Sequence, residues 1–409
     1  MKTILQRMDR REFLVGGSTI SLVGTAGCTD SIGFDFGSQE SLEVTGAWPR
    51  PEFDSGSTGH NLDVSGPTDE PEIRWEAKTP VDSMHVPAVV VSDGVAFFAG
   101  GSIVTAIDVT DGSQVWQTQI ADEHVPGGGR GRHCSMTVDN EFVYVGTHEG
   151  LAVLTKEGEE VWSYEVEVAL GASGVFRSPA VSDGTVYFGT AEEQAVSAYT
   201  TDGDKQWQYE CDNLIIGSPS VTDDGVFVAT SDGDLHAFST DGEHRWTKEI
   251  GTTSSKAAVT PTVFDGTVYA TAAGSQRGNA LVAFDAQTGD EVWRNNLSPS
   301  FVGSMSIFER SSLRELVCPT WHGTVFTYNV HDGSVTWGVP LGDRLSGSCP
   351  IPATDKQSVY IAAVDSLTRI APRRERAWQV SLEDVGGSVA VLDDALLVGS
   401  IDGRCYALA

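Results

Sequence analysis

Basic residues are scarce in this sequence, so the places where they gather are the first candidates for chemistry. The chain has 26 Lys and Arg against 57 Asp and Glu, a formal net charge of −31 at pH 7. Six basic or titratable side chains each come shortly before a run of β-forming residues: His85, Arg130, Arg132, His133, Arg177 and Lys256. Together they could bind an anion or an acidic peptide, which the glycine backbone at 127–129 could approach closely. The alternative is that they neutralise nearby carboxylates or cap loop carbonyls.

Evenly spaced tryptophans identify the elements that would position these residues. Successive members of the set are separated by 39 to 47 residues: Trp75, Trp116, Trp162, Trp207, Trp246, Trp293, Trp337 and Trp378. A period of forty to fifty residues with four short strands in each period is typical of a β-propeller. The Trp side chains are expected to be structural, since each would bury a large apolar ring and give its N–H a backbone partner.

The third period shows the repeat most clearly. Its predicted strands are Ser178–Val181, Thr185–Thr190, Ala195–Tyr199 and Lys205–Tyr209. An Asp-Gly pair at 183–184 lies between the first and second strands, and another at 202–203 lies between the third and fourth, as in tight hairpins. Residues before each first strand would then meet at one mouth of a central channel, and the six basic residues are placed there.

The same pattern predicts eight blades, at 87–120, 134–166, 178–209, 218–250, 260–297, 304–341, 349–382 and 388–409. The last blade ends after three strands, whereas Glu72–Ala77 carries a Trp strand with no strands before it. We therefore predict an all-β, eight-bladed propeller over 71–409, closed by the N-terminal strand joining the last blade. Such closure protects an open sheet edge.

Catalytic patterns are weak. Most Asp residues fall in Asp-Gly turns, where the side chain serves the turn itself, and Asp232-Gly-Asp234 does not match the spaced acidic ladder of a calcium loop. Five cysteines besides Cys28 leave at least one unpaired, and no zinc spacing is present. We therefore expect buried thiols, no metal and no catalytic residue.

Two stretches resemble a known repeat. Ala283-Phe-Asp285 with Gln287-Thr-Gly-Asp-Glu-Val-Trp293, and Ala106-Ile-Asp108 with Asp111–Trp116, resemble the A-x-D-x-x-T-G-x-x-x-W repeat of PQQ-like (quinoprotein-type) propellers. The resemblance covers about 72–409 and implies that each Trp docks between neighbouring blades. It leaves two functional branches open. One is a dehydrogenase holding PQQ over calcium, although the adjacent cysteines of the methanol-dehydrogenase type are missing; the other is a binding propeller of the BamB type.

The N-terminus is predicted to be a targeting segment. Residues 9–14, with Arg10 and Arg11, resemble a twin-arginine export signal, and Thr25-Ala-Gly-Cys28 resembles a lipobox with Cys28 as the lipidated residue. Translation could start at Met1 or Met8. Residues 29–70 are rich in Gly, Ser and acidic residues, which predicts a flexible tether; Trp48-Pro49-Arg50 within it is a candidate for docking onto the propeller.

These expectations combine into one functional hypothesis. The chain would be an exported propeller, lipid-anchored to the outer face of the cytoplasmic membrane, acting as a non-catalytic scaffold for an unknown protein or peptide. The acidic surface argues against nucleic acid and resembles that of halophilic proteins. No cofactor is expected; PQQ with calcium belongs to the alternative, an alcohol or sugar dehydrogenase.

Overall fold

The computed structural model describes a large part of the chain in seventeen ranges. They are 42–78, 88–100, 103–120, 135–147, 150–166, 177–190, 192–215, 217–251, 257–258, 260–273, 280–296, 303–310, 313–342, 350–363, 365–371, 375–400 and 402–409. Within them the backbone forms 33 strands and no helix. No helix long and apolar enough to cross a membrane occurs in these ranges.

Each of the first four blades is an antiparallel sheet of four strands in chain order. Blade one contains β2 (Val89–Ser92), β3 (Val95–Gly100), β4 (Ile103–Asp108) and β5 (Gln114–Gln119), after the separate strand β1 (Ile73–Lys78). Blade two contains β6 (Ser135–Val138), β7 (Phe142–Thr147), β8 (Gly150–Thr155) and β9 (Glu160–Glu165). Blade three contains β10 (Ala180–Ser182), β11 (Thr185–Thr190), β12 (Ala195–Thr200) and β13 (Lys205–Glu210). Blade four contains β14 (Ser220–Thr222), β15 (Gly225–Ala229), β16 (Asp234–Phe238) and β17 (His244–Glu249).

The second half repeats this order with one addition. Blade five contains the extra strand β18 (Ala257–Ala258), β19 (Thr262–Phe264), β20 (Thr267–Ala273), β21 (Ala280–Asp285) and β22 (Glu291–Asn296). Blade six contains β23 (Ser306–Arg310), β24 (Leu313–Pro319), β25 (Thr324–Asn329) and β26 (Val335–Pro340). Blade seven contains β27 (Ala353–Thr354), β28 (Val359–Ala363), β29 (Ser366–Ile370) and β30 (Arg376–Ser381). Blade eight contains β31 (Val385–Leu392), β32 (Ala395–Ser400) and β33 (Arg404–Leu408).

Blade eight is completed by β1, so its strand order is β1-β33-β32-β31. Trp75 pairs with Ala407 across the two strands. Glu72 and Ala409 exchange two backbone hydrogen bonds, of 3.2 and 3.1 Å. The predicted eight-bladed, all-β propeller and its closure by the N-terminal strand are therefore confirmed, although β31 begins at Val385 rather than Ser388.

The apolar core is divided among the interfaces between blades. Val-rich strands β7 and β8 of blade two and β11 of blade three share one buried cluster, and β15 of blade four packs with β20 of blade five in another. Each blade is buried on both faces, because it lies between two others, which is why its middle strands are almost continuously apolar. The interface that joins blades seven, eight and one also includes Trp48 and Val64, from residues before the first strand.

Six tryptophans on outer strands repeat one contact with the next blade. Each indole N–H donates to a backbone carbonyl at the last turn of that blade: Trp75 to Val109, Trp116 to Lys156, Trp162 to Thr201, Trp207 to Thr240, Trp246 to Ala286 and Trp293 to Val330. A glycine with positive φ lies under each ring, as Gly112 does under Trp75. A side chain there would collide with the indole.

Trp337 and Trp378 depart from this contact, and the sequence explains both. Trp337 donates to the Glu315 carboxylate of its own blade at 2.9 Å. The next blade has Pro372-Arg-Arg-Glu-Arg376 where the Asp-Gly turn would be. Trp378 precedes blade eight, whose last two strands are not consecutive in the chain, and its N–H has no partner in the described ranges. A backbone partner for every Trp, as the repeat predicted, is thus wrong at these two positions.

Candidate functional site

The channel side of the propeller is occupied by residues 42–66, which we call the collar. Its backbone accepts hydrogen bonds from the amides of inner strands in six blades: Val91 to Trp48, Val138 to Pro49, Val221 to Ser55, Val263 to Gly56, Ile307 to Thr58 and Thr354 to Gly59, at 2.7 to 2.8 Å. Four of these donors, Val91, Val138, Val221 and Val263, hold the same register position: each pairs across its hairpin with the second residue of the following strand, as Val91 does with Ala96. Ile307 pairs instead with the fourth residue of β24, and Thr354 with the first residue of β28.

The collar makes a full circuit of the channel and returns to its starting blade. In blade eight the turn amides of Asp393 and Asp394 donate to Thr45 and Ser65, at 3.0 and 2.9 Å. The order of contacts along the collar follows the order of blades around the ring. Composition predicted little order for 29–70, but the described residues 42–66 are bonded to the blades, and Trp48-Pro49-Arg50 docks. Backbone pairing, which composition does not report, provides this order.

A buried ion pair lies in the part of the collar between blades two and four. Arg50 and Glu52 approach within 3.4 Å, with side chains 2% and 3% exposed. Arg50 also donates to the carbonyls of Pro219 and Ser55 at 3.5 and 3.4 Å. The other Glu52 oxygen accepts from the Ser218 hydroxyl at 3.4 Å. Buried charges require such compensation, so this pair holds the collar in one position.

Burial shifts the pKa values of two titratable groups of the collar. Asp54 accepts from the Thr58 amide and hydroxyl at 2.9 and 2.5 Å, yet burial raises the pKa of its carboxyl. His60 makes a 2.7 Å hydrogen bond through Nδ1 with Thr354, and burial lowers its pKa from 6.5 to about 4. His60 is therefore neutral in the folded protein at neutral pH.

Blade three is the one blade with no backbone hydrogen bond to the collar in the described ranges. Val181 of β10 holds the register position of Val91, Val138, Val221 and Val263, because it pairs with Val186, the second residue of β11. No described hydrogen bond joins it to the collar. Val181 and Ser182 are half-exposed, whereas the six donors are buried. A pocket of about 320 Å³ opens here, lined by Val181, Pro49, Arg50, Phe53, Val138 and Asp139 among others.

Only one of the basic residues predicted at the channel mouth is described. Arg177 is half-buried and precedes β10, at the end opposite the 182–184 turn. His85, Arg130, Arg132, His133 and Lys256 lie outside the described residues, as do Arg10, Arg11 and Cys28. Whether the basic group gathers therefore stays a prediction. Among described cysteines, Cys211, Cys318 and Cys405 are buried thiols, and burial raises the pKa of Cys211 to about 12.

The described residues do not supply the donor set of the alternative PQQ and calcium site. No three His, Cys, Asp or Glu side chains converge on one point within the described ranges. The buried Glu52 is committed to Arg50. We therefore derive no reaction step through a quinone.

Sequence reasoning missed the collar and the pocket beside blade three. The only signal was Trp48, since a lone Trp in a polar segment suggests docking. The gap at Val181 leaves no mark in the sequence, because the Val-Ser-Asp-Gly of blade three matches Val-Ser-Asp-Gly in blade one.

Comparison with known proteins agrees with the repeat. A family profile described as outer membrane protein assembly factor BamB matches residues 99–276. BamB of Burkholderia pseudomallei is 25% identical over 78% of this chain and 82% of its own length. BamB of Yersinia pestis is 26% identical over 50% of this chain, and the match spans only 55% of that relative.

Solved structures show the same fold. BamB from Moraxella catarrhalis has a TM-score of 0.62 at 19% identity, over 83% of this chain and 98% of that chain. Quinohemoprotein alcohol dehydrogenase from Comamonas testosteroni has a TM-score of 0.66 at 14% identity, over 88% and 80%. A protein named BamB and a protein named as an alcohol dehydrogenase thus have similar TM-scores to this chain, and likeness of fold alone does not indicate which function the chain has. The chain is an eight-bladed β-propeller that resembles BamB and the PQQ-like propellers.

Proposed function

We propose that this chain is a non-catalytic scaffold that binds a partner protein at the cell surface. The observation that carries the proposal is the similarity to relatives named as outer membrane protein assembly factors, which in one of them extends over 78% of this chain. The collar supports it, because a channel lined by the chain's own buried residues leaves the outer surface and the pocket at blade three for recognition. An acidic surface favours protein partners over nucleic acid.

Anchoring is the second part of the proposal. Arg10 and Arg11 would direct export by the twin-arginine route, and Cys28 would carry lipid at the outer face of the cytoplasmic membrane. In the producing cells, Cys28→Ser should move the protein from the membrane fraction to the medium, while a Lys substitution of both arginines should leave it unprocessed inside. Membrane retention of the Cys28→Ser protein would contradict lipid anchoring.

Partner binding is tested on the anchored protein in its native membrane. Chemical cross-linking in high salt, followed by purification and mass spectrometry, should yield a stoichiometric partner protein. The amount of cross-linked partner should fall in the Cys28→Ser variant, because that variant is no longer held at the membrane. An absorption spectrum of the same preparation tests the alternative. If the protein released about one quinone per chain and no stoichiometric partner were found, the scaffold hypothesis would be wrong and the dehydrogenase hypothesis would be supported.

A further inference from the structure

We propose that the inner edge of β10 in blade three binds an extended, positively charged segment of the partner protein by adding it as a short strand. This deepens the proposed function and rests on it, because it assigns the surface and the chemistry of the partner. The first support is register: Val181 shares the position of Val91, Val138, Val221 and Val263, and among the described residues at this position it alone is half-exposed and has no hydrogen bond to the collar.

Blade one shows how such a segment would be bound. There Trp48 and Val91 exchange two backbone hydrogen bonds, of 2.9 and 2.8 Å, and the indole is buried. Because Val181 and Val91 share one register, the N–H of Val181 also faces away from its own hairpin, towards the channel. An extended residue beside Val181 would make the equivalent pair of bonds, the usual mode of strand addition.

The pocket provides space for the side chain of the partner residue that pairs with Val181. Its lining combines the apolar groups of Pro49, Phe53 and Val138 with the guanidinium of Arg50. Phe53 to Ser55 of the collar are half-exposed, whereas Pro51 and Glu52 before them and residues 56–61 after them are buried. The opening is therefore local, and it lies where the collar leaves the ring.

The acidic residues around the pocket indicate the charge of the segment that would bind there. The turns that follow β6 and β10 flank the pocket and carry Asp139, Glu141 and Asp183, the last two fully on the surface. Arg50 is the only cationic side chain among the described residues that line the pocket, and Glu52 neutralises it. Residues 29–41 of the chain itself carry Asp30, Asp35 and Glu40 and no Lys or Arg. Like charges repel, so the occupant is a partner segment with an apolar residue flanked by Lys or Arg.

The probes are fluorescein-labelled nine-residue peptides with Lys at alternate positions and Ala, Val, Leu or Phe at the centre. Anisotropy with the mature protein should show saturable binding of at least one, weakened more than tenfold when Glu replaces Lys or Pro occupies the centre. Val181→Pro, which removes the N–H, should weaken binding at least tenfold; the matched Val181→Thr should stay within twofold. Asp139→Asn should weaken binding several-fold and reduce its salt dependence. Failure of all four peptides overturns the proposal.

Amide exchange in the unmodified protein provides a second test that no variant can disturb. The Val181 amide should exchange much faster than those of Val221 and Val263, which donate to the collar, and should become protected when the peptide binds. Equal protection in the free protein would overturn the proposal, since the chain would then cover its own edge.

The two proposals fail in different ways. If native membranes yield a stoichiometric partner that Val181→Pro does not release, the scaffold stands and the blade-three site is wrong. If the peptide binds as expected but no partner is retained, the site stands and the scaffold function is wrong.

Discussion

The propeller is held together by two concentric sets of contacts that differ in kind. The outer set is the repeated tryptophan contact, in which one indole reaches the next blade some forty residues along the chain. The inner set is the collar, a single segment whose bonds reach from Trp48 to Val91 and from Gly59 to Thr354. The outer contact is present many times and each copy joins two blades; the inner one is present once and joins seven.

This difference separates two sources of stability. Loss of one tryptophan contact weakens one interface and leaves the others intact, because solenoid-like repeats interact mainly with their neighbours. Loss of a collar residue affects the closure of the whole ring. We therefore expect substitutions in the collar to lower the free energy of unfolding more than chemically similar substitutions in the outer set.

The buried ion pair gives the largest expected effect. Glu52→Gln leaves Arg50 buried and uncompensated, and should lower the free energy of unfolding by about 3–5 kcal/mol. Arg50→Met should be similarly costly, while the double variant should lose less than the sum of the two. Denaturant unfolding in high salt measures all three. Strict additivity would mean that the pair does not hold the collar, and the comparison would fail.

Alanine substitutions at three glycines with similar positive φ compare how much the inner and outer sets contribute to stability. A Cβ at Gly59 would lie 2.7 Å from Ser306 Cβ, one at Gly112 would lie 2.8 Å from the Trp75 ring, and one at Gly94 meets nothing. Alanine should cost about 1–2 kcal/mol for backbone conformation at Gly94. Crowding adds about 1–3 kcal/mol at the other two. In thermal unfolding, the alanine variant at Gly59 should be the most destabilised, followed by those at Gly112 and Gly94. A larger loss of stability at Gly112 than at Gly59 would contradict the greater importance of the inner set.

Acid should loosen the collar before it affects the outer set. The pKa of His60 is about 4 in the folded protein against 6.5 in the unfolded chain. Between these pH values the unfolded chain binds the extra proton, so stability falls as pH decreases, by about 3 kcal/mol in total. His60→Gln should flatten this part of the stability curve measured from pH 7.5 to 4. An unchanged slope would show that His60 is protonated without loss of the collar.

Within the outer set, two tryptophans should differ by the smallest amount. Trp293 donates to Val330 at 2.9 Å, whereas the N–H of Trp378 has no partner in the described part of the chain. Both rings are buried to a similar extent. Phe at 293 should therefore be more destabilising than Phe at 378 by about 1 kcal/mol, the net value of one hydrogen bond. Equal losses in parallel denaturant titrations would mean that ring burial alone sets the contact.

The outer set could be predicted from the sequence and the inner set could not. Trp spacing and Asp-Gly turns are local patterns that repeat, so each copy supports the others, and they located the blades and the closing strand. The collar occurs once, and its Gly- and Ser-rich composition is typical of a disordered tether. Its contacts are made by backbone atoms, which every residue carries. The pocket arises where the collar skips blade three, a property of the path and not of any residue type.

The circuit of the collar also constrains the timing of folding. Residues 45–65 are synthesised before every strand they contact, and their last partner, Asp394, lies in the final blade. The circuit therefore cannot be completed until the ribosome has produced all the inner strands. A stretch poor in apolar residues stays soluble during this interval without aggregating. Completion of the circuit is thus among the last events of maturation, and a ring with a missing or misplaced blade has no continuous circuit for the segment to complete.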